Sequence, residues 1–164
     1  MVAEQLSAQV WPYISFSVTF DDNVMSVTVS NDGLGPAVLR TAAVLVDDKP
    51  QASFVDALHV MIGPHLIERA QRAGERRIGV TANSAGPGSV LRVGASVTAF
   101  SLQSKTLVPL VYKQLARLHL RACYCSIEGA CWIKSANDDD PRPVRSCPPE
   151  PLNLLREDAP IPRL

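Results

Sequence analysis

Ile14-Ser15-Phe16-Ser17-Val18-Thr19-Phe20 alternates apolar and polar side chains without a break. Successive side chains of a strand point to opposite faces, so this stretch predicts a half-buried strand with Ile14, Phe16, Val18 and Phe20 turned to a core. After Asp21-Asp22-Asn23 comes Val24-Met25-Ser26-Val27-Thr28-Val29, again β-branched, and the two runs predict a hairpin. Asn31-Asp32-Gly33-Leu34-Gly35-Pro36 then makes a turn into a third strand, Ala37 to Val46, which ends at Asp47-Asp48-Lys49-Pro50. Ile78 to Thr81 and Ser89 to Leu102 read as strands around Gly86-Pro87-Gly88, and His119 to Ser126 with Cys131 to Lys134 as a last hairpin turning at Glu128-Gly129.

Two segments carry helical spacing. From Ser53, the residues Phe54, Leu58 and Met61 recur at i, i+4 and i+7 before Gly63-Pro64 stops the run. Between Thr106 and Leu118, Leu107, Leu110, Val111, Leu115 and Leu118 share a helical face, with Pro109 tolerated in the first turn. Arg69 to Arg77 is polar and basic, and is assigned to neither class. The expected fold is therefore mainly β: an immunoglobulin-like β-sandwich of roughly seven strands with two short helices.

The sandwich is expected to occupy residues 1–140. Beyond it, 7 of the 13 prolines fall in the last 24 residues, so 141–164 predicts an extended Pro-rich tail. Leu152, Leu154 and Leu155 in that tail are costly to leave in water, which points to packing along the sandwich or to a homodimer contact. A weak internal echo sets Val38-Leu39-Arg40 seven residues after Asn31, and Val90-Leu91-Arg92 seven after Asn83; two similar strand-turn-strand units account for it.

Lys+Arg 16 against Asp+Glu 16 gives zero formal net charge, which removes the electrostatic case for a nucleic-acid binder or a polybasic membrane-surface protein. Hydrophobic residues at 46% with 20% charged exclude wholesale disorder. No window approaches the roughly 18 apolar residues of a spanning helix. Asn31 to Pro36 is Gly-rich, but Pro36 removes a donor and a β-branched run follows where a phosphate loop would open onto a helix. His59, His65 and His119 accompany no G-x-S-x-G elbow, and Asp138-Asp139-Asp140 lacks the alternation of a calcium loop.

The specific chemical signal is sulfur. Cys123, Cys125, Cys131 and Cys147 crowd into 25 positions, an even number that favours structural disulfides and an oxidising compartment. If the last hairpin centres on Glu128, Cys125 faces Cys131 and leaves Cys123 for Cys147. The rival arrangement joins Cys123 to Cys131 and Cys125 to Cys147. A zinc site is the lesser reading, because the spacing lacks two C-x2-C knuckles, although His119 offers a fourth ligand; redox catalysis is lesser still, since no C-x-x-C is present.

Three motifs carry a resemblance: Ala3-Glu4-Gln5-Leu6-x-Ala8-x-Val10-Trp11-Pro12-Tyr13, Asn31-x-Gly33-x-Gly35-Pro36-Ala37, and Tyr124-Cys125-Ser126-Ile127-x-Gly129-x-Cys131-Trp132. Their order and spacing over residues 3–147 resemble a family of uncharacterised bacterial proteins with one N-terminal membrane helix and a periplasmic domain. The resemblance implies a membrane anchor preceding Ala3, with Met1 and Val2 foreign to the native chain, and a place on the periplasmic face of the inner membrane. It assigns no catalytic residue. The combined expectation is a non-enzymatic, membrane-anchored binding or interaction domain without cofactor or metal, whose partner is a protein or cell-wall ligand. The alternative class is an enzyme built on the cysteines, either a zinc hydrolase or a thiol oxidoreductase.

Overall fold

A computed structural model describes residues 11–72, 79–82, 89–135 and 140–149. The described residues are mainly β, with two antiparallel sheets and three α-helices among them. Strands β1 (Ile14–Asp21) and β2 (Val24–Asn31) form the hairpin that the alternation predicts, paired from Ile14↔Asn31 to Asp21↔Val24. With β5 (Gly79–Ala82) and β7 (Ser96–Gln103) they build one sheet in the order β1-β2-β7-β5. The other sheet runs β10-β9-β8-β3-β4, from β10 (Arg142–Val144), β9 (Cys131–Ser135), β8 (Leu118–Cys125), β3 (Ala37–Val46) and β4 (Lys49–Gln51), with β6 (Val90–Leu91) also paired to β3.

Both sheets contribute to both hydrophobic clusters, and this joins them. In the larger cluster, Met25 and Val27 of β2 and Phe100 and Leu102 of β7 meet Val44 and Val46 of β3 and Leu120 of β8. Helices α1 (Phe54–Ile62), α2 (Pro64–Arg72) and α3 (Leu107–Lys113) pack into this cluster through residues such as Leu58, Ile67 and Val111. In the smaller cluster, strand residues Ile14, Leu39, Leu91 and Tyr124 meet with no helical residue among them. The sheets thus pack directly on one another in the smaller cluster, and the helices join them in the larger one. A bulge at Arg40 switches the parity of β3, so that Ala37 and Leu39 face one cluster while Val44 and Val46 face the other.

The first helix follows the sequence closely. Ser53 caps it, its hydroxyl accepting from the Asp56 amide at 3.2 Å, and Gly63 ends it at φ 87°. Phe54 stacks on Phe100 of β7 at 4.5 Å. The expectation of two helices is corrected to three among the described residues: Pro64 stands in the first turn of the added one, where it has no hydrogen bond to lose, and Ile67 and Ala70 bury an i, i+3 stripe. The stripe is too narrow to show against the basic residues around it. The second expected helix closes earlier than Leu118, at Lys113, and a 3₁₀ turn, Leu115–Arg117, leads straight into β8.

The strand count also exceeds the expected seven, reaching ten among the described residues. Asp47 and Asp48 take φ 51° and 64° and reverse the chain within two residues, so Lys49 already pairs with Val46. Ser89 to Leu102 is split at Gly94, φ 74°, into β6 and β7. The two Val-Leu segments of the internal echo pair with one another, Val38 against Val90, while Asn83 and the Gly86-Pro87-Gly88 turn lie outside the described residues. Arg142–Val144, the start of the predicted tail, pairs with β9; Pro143 is tolerated there because β10 is the outer strand of the pair. The tail leucines lie outside the described residues. No helix of the described residues is long and apolar enough to cross a membrane.

Candidate functional site

At the end of β2 the wholly buried Asn31 satisfies four hydrogen bonds with one side chain. Its Oδ1 accepts from the amides of Tyr13 at 3.2 Å and Gly33 at 3.1 Å, and its Nδ2 donates to the carbonyls of Gly35 at 2.8 Å and Leu91 at 3.0 Å. That uses both donors and both lone pairs of the amide, as burial requires. The turn that follows grips the segment before β1: the Asp32 amide donates to the Tyr13 carbonyl at 2.8 Å and the Leu34 amide to the Trp11 carbonyl at 2.9 Å. A Cβ on Gly33 would stand 2.3 Å from the Tyr13 nitrogen and 2.5 Å from the Trp11 oxygen, so only glycine allows this approach. Asn31 to Pro36 is therefore both the connection from β2 to β3 and the mount for Trp11-Pro12-Tyr13.

Trp11, held in this way, stacks on Trp132 of β9 with ring centroids 5.8 Å apart. Trp132 in turn stacks on Tyr124 of β8 at 5.9 Å, its cross-strand partner. Lys134, two residues along the same face of β9, sets its Nζ 5.3 Å from the centre of the Tyr13 ring. The stack passes from interior to solvent: Tyr124 is fully buried, Trp132 half-buried and Trp11 45% exposed, with Leu34 beside it at 70%. Burial pushes the Tyr124 hydroxyl up to about 12, partly offset by the nearby Ile14 backbone, whose approach falls short of hydrogen-bond geometry, so the hydroxyl has no hydrogen-bond partner among the described residues.

The cysteines occupy the opposite face of the same strands. Tyr124 points inward from β8, so its neighbours Cys123 and Cys125 point outward. Cys125 lies directly across from Cys131 and bonds to it, Cα to Cα 4.0 Å. Cys123 bonds to Cys147 with Cα atoms 5.6 Å apart. Since β9 lies between β10 and β8, the chain after β10 must cross the outer face of β9 to deliver Cys147. The two bonds nearly touch: the Cys125 and Cys147 sulfurs are 3.9 Å apart. Cys125, Cys131 and Cys147 have all sulfurs within 4.8 Å of one another, and reduced they are the residues that could hold a thiophilic ion.

The other polar groups weighed in the sequence are scattered. His59 and His65 are exposed on α1 and α2, His119 is half-buried on β8, and Asp140 is exposed; Asp138 and Asp139 lie outside the described residues. Arg117 grips Asp47 through two nitrogens, at 2.9 Å and 2.5 Å, and this hydrogen-bonded pair holds the Asp47 carboxyl below its usual range. Neither the role of Asn31 as a hub nor the Trp11–Trp132 pair is apparent in the sequence. The signal for the first is an Asn at a strand end followed by Gly-x-Gly; the second unites residues far apart in the sequence, which no local pattern reports. Comparison with protein-family models, with curated proteins and with solved structures finds no match.

Proposed function

We propose that this chain is a non-enzymatic binding domain whose contact surface is the aromatic face around Trp11 and Leu34, set on an immunoglobulin-like frame of two sheets. The observation that carries the reading is a tryptophan 45% exposed yet rigidly mounted, stacked on Trp132 and bonded through its carbonyl to the Leu34 turn. Immobilised aromatic rings beside an exposed leucine bind at low entropic cost, because the side chains are ordered before the partner arrives. Such a face suits an apolar segment of a protein or the C–H face of a cell-wall sugar.

Two disulfides support an oxidising compartment. With the family resemblance of the three sequence motifs, the reading becomes a periplasmic domain on a bacterial inner-membrane anchor. The test is co-sedimentation with isolated cell-wall sacculi, paired with Trp11→Ala. Retention that falls about tenfold in the variant, at unchanged melting temperature, supports the glycan arm. Equal retention of the two proteins contradicts it, and absence of retention leaves the protein arm, which is read by cross-linking from position 34.

A further inference from the structure

The 3.9 Å approach of the Cys125 and Cys147 sulfurs joins two bonds that are otherwise separate staples. We propose that the four cysteines are an internal thiol–disulfide exchange centre, with Cys125 as the branch point and a dithiol as the reductant it accepts. Cys147 is the partly exposed member, whereas Cys123 and Cys125 are 2% and 5% exposed, so an external thiolate reaches Cys147 first.

The first thiolate of the dithiol attacks the Cys147 sulfur, forming a mixed disulfide and breaking the bond to Cys123, which leaves as thiolate and takes a proton. The second thiolate of the same reductant attacks its own sulfur in the mixed disulfide, so that the reductant departs as a disulfide and Cys147 becomes a thiolate. Cys147 then attacks the neighbouring Cys125 sulfur, forming a Cys125–Cys147 bond and expelling Cys131, which takes the second proton. Two electrons have entered at Cys147, and the thiols now stand at Cys123 and Cys131. At the end Cys147 is tied to β8 again, through Cys125 in place of Cys123, so the segment crossing β9 regains its anchor while the staple across the Ser126–Ala130 turn is released.

Wild-type protein treated with one equivalent of dithiothreitol, quenched in acid, alkylated and mapped by fragment-ion mass spectrometry tests this. The expected first reduced species carries label on Cys123 and Cys131 together. Label confined to Cys123 with Cys147, or to Cys125 with Cys131, overturns the proposal, as does equal label on all four. Two variants need no reductant. In Cys123→Ser the label is expected to move from Cys147 to Cys131 at mildly alkaline pH, and in Cys131→Ser from Cys125 to Cys123. Label that stays on Cys147 and on Cys125, in variants with wild-type circular dichroism, overturns it equally.

Discussion

The side-chain amide of Asn31 donates to the carbonyl of Leu91 at 3.0 Å, tying the end of β2 to a strand of the other sheet. The same amide group serves Tyr13, Gly33 and Gly35, so truncation leaves four backbone groups, two of them in buried bonds and two in partly buried ones, short of a partner. Asn31→Ala is expected to cost about 3 kcal/mol in urea unfolding, at the high end for a point substitution. Asn31→Asp should be no better, because a carboxylate turns an acceptor toward the carbonyls of Gly35 and Leu91.

Gly33→Ala tests the mount of Trp11 separately. Its Cβ would meet backbone atoms of Trp11, Pro12 and Tyr13 at 2.3 to 2.7 Å, and backbone held by hydrogen bonds on both sides does not yield cheaply. The expected outcome is a loss of about 2 kcal/mol together with a red shift of tryptophan emission as Trp11 lifts off Trp132.

Much of the β framework is legible in the sequence, and the reason is physical. The period of Ile14 to Phe20 is imposed by the strand's own geometry, and the register of the last hairpin sets Cys125 against Cys131. What stays hidden is non-local or shallow. The partners of Asn31 lie as far away as Leu91, the Trp11–Trp132 stack joins segments distant in the sequence, and the stripe of α2 is two residues wide.

Tyr124 provides a pH test. Its hydroxyl is held neutral in the fold to about 12, against an ordinary value near 10, so the unfolded chain releases the proton first. Stability is complete below about pH 10 and falls as pH rises toward about 12, seen as a drop in melting temperature across that window. Tyr124→Phe removes a buried hydroxyl that has no hydrogen-bond partner among the described residues and should be neutral or stabilising by up to about 1 kcal/mol, with a flatter alkaline profile.

Cys147→Ser removes the bond that closes a separation of 24 residues between β8 and the segment crossing β9. Calorimetry should record a loss of about 3 kcal/mol, equivalent to roughly 6–12 °C in melting temperature for a chain of this size.

The most direct measurement of the binding face is photo-cross-linking in cells from a probe at Leu34, compared with a probe at Tyr112, which is exposed on α3 and belongs to the helical end of the fold. One strong adduct is expected from position 34, disappearing when Trp11→Ala is added, and none from position 112. Equal adducts from both positions, or an adduct from 34 that survives Trp11→Ala, would contradict this binding face.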